Sequence, residues 1–104
     1  MKSKRLYVLV RKNLELSSPG VQAGHCVAHF CLNSSLAKEW NNRTLIYLEI
    51  ENLEELKYWV FKLEKRNVEV FKFFEEDLNN ELTAICGLVG DDASGFLNEL
   101  KLLE

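Results

Sequence analysis

Leu6-Tyr7-Val8-Leu9-Val10 is a continuous apolar run of strand length, as expected of a central strand covered on both faces. Downstream, Ser17-Ser18-Pro19-Gly20 reads as a helix start. Ser18 can cap it, and Pro19 at the first helical position gives up only an N–H that has no intrahelical partner. The helix is predicted over about 19–36. Residues 43–50 are β-branched and aromatic, with Ile46, Leu48 and Ile50 on one face, and predict a second strand. Asn52 caps the next helix and Glu55 completes a capping box. Leu53, Leu56, Val60 and Leu63 form its apolar stripe, and Lys62, Lys65 and Arg66 crowd its C-terminal end, where cations suit the dipole. A third strand is predicted from Val68 to Phe74 and a fourth from Leu82 to Val89. Asp91-Asp92-Ala93-Ser94 opens a short last helix that uses Phe96, Leu97 and Leu100.

The resulting order is βαβαββα. Its alternating first part implies right-handed crossovers and parallel strands. The third and fourth strands are joined by a short acidic loop without a helix, so they are an antiparallel pair or non-neighbours. The prediction is an α/β protein: a three-layer α/β/α sandwich on a four-stranded mixed sheet with one antiparallel strand.

The 104 residues are a single-domain length, so 1–104 is read as one domain. With 47% apolar and 28% charged residues, the composition excludes a disordered chain. No apolar run approaches the roughly 20 residues that cross a bilayer, so no membrane partner is expected. The run 6–10 meets Arg11-Lys12 and is too short for a signal peptide. The three cysteines, Cys26, Cys31 and Cys86, form no Cys-x-x-Cys pair. Buried thiols in a reducing cytoplasm are the expectation. The net charge of −3 argues against a general nucleic-acid binder, although Lys2, Lys4, Arg5, Arg11 and Lys12 leave room for a basic patch near the N-terminus.

The first helix is the informative element. From Leu16 to Ala37 there is no Asp, Glu, Lys or Arg, whereas a helix facing water normally has a charged side. Gln22, His25, His29 and Asn33 share one face, and Ala23, Val27, Phe30 and Cys31 can cover the sheet. The polar stripe meets a cleft, a partner chain or a neighbouring element of the fold. His25 and His29 have metal-ligand spacing, but Cys26 stands where the zincin helix has glutamate and the sequence holds only those 2 histidines, so neither a metal nor a cofactor is expected. Cys26, next to His25, reads as a buried thiol ahead of a nucleophile. Glu75, Glu76, Asp77 and Glu81 crowd one short stretch. Their repulsion could raise one pKa and make a base, and the competing reading is a solvated acidic turn. Free N–H groups at the helix start, near Ser18 and Gly20, could hold an anion.

Strand 6–10, Arg11-Lys12, the turn, and Gln22-Ala23-Gly24-His25 on the first helix resemble the type 2 peptidyl-tRNA hydrolases. The resemblance continues through Trp40, the 43–50 strand, the 53–66 helix and Thr83-Ala84-Ile85, and so spans essentially the whole chain. Ser18-Pro19-Gly20 and the stretch from Glu75 to Ala84 look like a shorter bacterial branch. The family hydrolyses the ester joining a peptide to the ribose of tRNA. The resemblance implies that Gln22 and His25 position groups in a cleft, that a carboxylate from Glu75 to Asp77 moves a proton or orients water, and that Thr83 hydrogen-bonds the substrate. It leaves open which of Glu75, Glu76 and Asp77 matches the family's aspartate. The family's catalytic lysine lies four residues before the glutamine, where this chain has Ser18. Losing such a donor costs on the order of 100-fold in rate. Lys12 or Lys72, from neighbouring strands, are the candidate substitutes. The implied function is hydrolysis of peptidyl-tRNA or a small acyl ester, weak or lost. The alternative is a non-catalytic homodimeric binding module of the same fold, its contact using the uncharged helix or the sheet edge beside it.

Overall fold

The computed structural model describes residues 3–15 and 17–103. Lys2 of the basic group and Leu16 at the start of the uncharged stretch lie outside them. The elements are β1 (Lys4–Arg11), α1 (Pro19–Asn33), β2 (Leu45–Ile50), α2 (Leu53–Lys65), β3 (Phe71–Glu75) and β4 (Glu81–Gly90). The sheet order is β2-β1-β4-β3. β1 pairs in parallel with β2, and β4 runs antiparallel to both β1 and β3. The mixed four-stranded sheet with one antiparallel strand is therefore the observed one, and β3 and β4 are neighbours.

β1 is buried on both faces, and alternation divides its side chains between two cores. Leu6, Val8 and Val10 pack with Ala23, Cys26 and Phe30 of α1. Tyr7 and Leu9 pack with Leu56, Trp59, Val60 and Leu63 of α2. Leu48 and Ile50 join the α2 side as expected, with Ile46 partly buried beside them. A helix thus covers each face.

Local chemistry sets the helix ends. Asn52 Oδ1 accepts from Glu55 N–H at 3.0 Å and caps α2, an interaction worth about 1 kcal/mol. At the other end Asn67 takes a left-handed φ of 61°. Asn67 N–H then donates to Glu64 O at 3.0 Å and Val68 N–H to Leu63 O at 3.1 Å, a Schellman stop. Val68 is consumed in that stop, so β3 begins at Phe71 instead of Val68. α1 ends at Asn33, short of Leu36, because Ser34 is extended and its hydroxyl accepts from Leu36 N–H at 3.1 Å. A 3-10 turn, Ser35–Glu39, follows. The expected last helix is also a correction. Two 3-10 turns, Asp91–Ala93 and Gly95–Glu99, take its place, and Gly95 at the break disfavours a continuous α-helix. Leu97 is nevertheless buried on the α2 side, with Phe96 and Leu100 packed against it.

Two thiols match the expectation and one does not. Cys26 and Cys86 are buried, but Cys31 is exposed. The sheet-facing positions of α1 are Gln22, Ala23, Cys26 and Phe30, so Cys26, not Cys31, covers the sheet. Hydrogen bonding with Cys26 and burial push the Cys86 thiol up from its ordinary pKa. A fully enclosed Cys26 is no nucleophile.

Candidate active site

A β-bulge builds the floor of the site. Phe73 pairs with Ala84 but Phe74 pairs with Leu82, so Thr83 is an extra residue in β4. Ala84 faces α1 and Leu82 faces α2. The bulge turns Thr83 to the α1 side with Ala84, where its hydroxyl donates to Gln22 Oε1 at 2.6 Å. Gln22 lies in the first turns of α1 and is 1% exposed. Its Nε2 donates to Ser17 Oγ at 2.9 Å and to Glu75 Oε1 at 2.8 Å. Both amide hydrogens are used, and the orientation of the side chain is fixed.

Glu75 ends β3 and gathers the site. Oε1 receives Gln22 Nε2, and His25 Nδ1 lies 3.3 Å from the same oxygen. The Gln22 hydrogen bond is the main reason that the Glu75 carboxyl is held below its usual range; the Asp77 N–H and His25 assist, and partial burial opposes them. The raised carboxylate pKa expected of a base is therefore not found at Glu75. It is an ionised acceptor that can hold the Nδ1–H tautomer of His25, leaving Nε2 for proton transfer. Phe73 supports both α1 histidines: its ring centroid lies 5.8 Å from His25, edge-on, and 4.9 Å from His29.

A surface groove of about 280 Å³ opens here, bordered by His25, His29, Phe73, Phe74, Glu76 and Asp77. Gln22 and Thr83 are buried behind it. Thr83, expected to bond a substrate, instead positions Gln22, which positions Glu75. Asp77 sits on the rim, and its N–H bonds back to Glu75.

The four expected substrate-binding residues do not converge on the groove. Lys12 pairs with Glu49 at 3.2 Å and Glu51 at 2.9 Å, on the β2 side. Three strand spacings, about 14 Å, separate that edge from β3. Phe71 and Phe73 face α1, so alternation puts Lys72 on the other face; its partner Ile85 belongs to the α2 core. Neither lysine borders the groove. Ser18 occupies the N-cap position of α1, but its side chain makes no capping hydrogen bond. A Cβ added at Gly20 would meet only Ser18 Oγ, at an ordinary 3.6 Å. Among the described residues no lysine or arginine borders the groove beside Glu75, Glu76 and Asp77, which opposes binding of an anion.

Ser17, Phe73 and Phe74 were not marked as site residues in the sequence, and neither was Arg11. The buried Arg11 bonds Asn13 Oδ1 at 3.0 Å, Leu82 O at 3.0 Å and Glu81, tying the loop after β1 to the start of β4. The polar stripe finds partners within one chain: Gln22 as described, His25 and His29 against Phe73, and Asn33 Nδ2 on His29 O at 3.0 Å. Among the described residues no three His, Cys, Asp or Glu side chains are grouped to hold a metal ion, and no helix is long and apolar enough to cross a membrane. No protein-family model and no curated protein matches the chain.

Proposed function

We propose that the chain is an ester hydrolase of the peptidyl-tRNA hydrolase type, slow toward a tRNA ester, with His25 as the proton-transfer group and Glu75 as its orienting carboxylate. One observation carries the reading. Gln22, His25, Thr83 and a carboxylate of the 75–77 stretch, the residues that resemble the family's, meet in one cluster around Glu75 Oε1.

In this reading His25 Nε2 takes a proton from water as the water oxygen bonds to the ester carbonyl carbon. The carbon–oxygen bond to the ribose then breaks, and His25 returns the proton to the departing ribose oxygen. Glu75 stabilises the imidazolium formed in between. Gln22 and Thr83 hold Glu75 still. The weak step is stabilisation of the oxyanion, because Ser18 stands where the family has lysine. Free thiols at Cys26, Cys31 and Cys86 suit a reducing cytoplasm.

The second reading, a binding module without turnover, draws on the carboxylate rim and the absence of a bordering cation. Hydrolysis of an N-blocked aminoacyl-tRNA at low salt, wild type against Ser18→Lys, separates the two. Slow wild-type turnover, raised about 10-fold or more by the lysine, supports the hydrolase. No release above the buffer rate by either protein leaves the binding module.

A further inference from the structure

The chain treats its two sheet edges differently. Along β2 it covers itself: Glu49 N–H donates to Lys101 O at 2.9 Å and Leu103 N–H to Tyr47 O at 3.0 Å. Leu102 bridges antiparallel to Leu48. A short extended segment thus caps that edge through backbone bonds. β3 is the other edge and, among the described residues, pairs with β4 alone. Its outer N–H and C=O groups are a template for a further strand, and Phe71-Lys72-Phe73-Phe74-Glu75 contains no proline to block pairing.

α1 runs beside this open edge, packing His29 on Phe73 and Phe30 on Phe71, and a hollow lies at each end of that contact. A hollow of about 270 Å³ lies at one end, between Asn33, Ser34, Glu69 and Phe71. The groove of about 280 Å³ at His25, His29 and Phe74 lies at the other. The α1 wall has no charged residue. On the α1 side the remaining charge is all of one sign: Glu69 at the first end, Glu75, Glu76 and Asp77 at the second, and among the described residues no lysine or arginine borders either hollow, Lys72 lying on the opposite face of β3.

We propose that this edge binds an extended, cationic peptide segment of another protein by strand addition to β3. Main-chain bonds to β3 would supply affinity, and alternate side chains would enter the two hollows. The carboxylates at both ends select lysine or arginine over acidic residues. At about 3.3 Å per residue, β3 offers about 16 Å of edge, enough for five or six peptide residues. Charge disfavours a second copy of this chain as occupant. An antiparallel two-fold pairing of β3 would set Glu75, Glu76 and Asp77 of one copy toward Glu69 of the other, and like charges placed opposite repel. The proposal stands apart from the hydrolase reading, since it needs the β3 backbone, Glu69 and Glu76 but no turnover.

The test is fluorescence anisotropy with a labelled Lys-Val-Lys-Val-Lys-Val peptide, with amide hydrogen exchange to locate it. The Glu-Val counterpart and a form N-methylated at alternate residues should each bind at least 10-fold more weakly. Glu69→Lys with Glu76→Lys, both on exposed residues, should weaken the lysine peptide at least 10-fold. Exchange should slow in residues 71–75. Equal binding of the N-methylated peptide, unchanged binding by the charge-reversed protein, protection elsewhere, or protection of 71–75 by self-association without peptide would each overturn the proposal.

Discussion

Replacing Thr83 with valine keeps the side-chain shape and removes one hydroxyl. Thr83 is fully buried and Gln22 is 1% exposed, so water cannot replace the lost donor at Gln22 Oε1. Leaving that oxygen unsatisfied costs about 1–3 kcal/mol. At about 4–8 °C per kcal/mol for a domain near this size, a loss of about 2 kcal/mol lowers the melting temperature by about 8–16 °C. Gln22→Leu should cost at least as much, because it strips an acceptor from Thr83 and a donor from Glu75. The double variant Thr83→Val/Gln22→Leu leaves neither partner orphaned by the other. It should therefore be more stable than the sum of the single effects by about 1 kcal/mol. Thermal melts followed by circular dichroism at pH 7, with urea unfolding to check that the slopes are unchanged, give all four corners of the cycle. Single effects that add to within about 0.3 kcal/mol would refute the coupled network.

The other expectations follow from the same geometry. The depressed Glu75 pKa stabilises the native chain above the ordinary glutamate value of about 4.3, and this contribution is lost as pH falls through the lower native value. The stability gap between wild type and Gln22→Leu should therefore narrow from pH 7 to pH 3; a gap that stays constant contradicts an ionised, Gln22-bonded Glu75. Ellman's reagent should titrate one thiol per native chain, Cys31, and all three after unfolding; rapid reaction of three native thiols would contradict the buried placement of Cys26 and Cys86. Asn67→Ala forces a side chain with Cβ into a left-handed φ without asparagine's tolerance for it and should cost about 1 kcal/mol in a urea melt; no loss would argue against the Schellman stop. Because the α1 stripe is satisfied within one chain, sedimentation at micromolar concentration should show a monomer at pH 7.5 and 5.5, and a dimer would return the second copy to the β3 edge.

What the sequence made legible were features with local causes. The apolar run 6–10, the proline at the start of α1, the Asn52 cap and the period of α2 each report on their own neighbourhood, and together they order the strands and helices. The misplacements come from partners distant in sequence. Periodicity put Cys31 on the sheet face, whereas Thr83 and Glu75 draw Gln22 inward and rotate the buried face to Gln22, Ala23, Cys26 and Phe30. The bulge at Thr83 depends on the β3–β4 register, which no local pattern encodes. Lys72 was misplaced because Phe71, Phe73 and Phe74 surround it, and aromatic residues on both sides hide the alternation. Of Glu75, Glu76 and Asp77, Glu75 is the one that accepts from the Gln22 amide, a contact between residues 53 apart that no local pattern encodes.

In the hydrolase proposal His25, oriented by Glu75, moves the proton in ester hydrolysis. Its most direct test is the single-turnover release of the peptidyl group from an N-blocked aminoacyl-tRNA, with excess enzyme at low salt, for wild type, His25→Ala and Glu75→Gln in the Ser18→Lys background. Measurable release is expected with Ser18→Lys alone. Adding His25→Ala should cost about 100-fold or more, and adding Glu75→Gln should cost less and change the pH profile. Release that persists unchanged in His25→Ala, or no release with any of the proteins, would contradict the proposal.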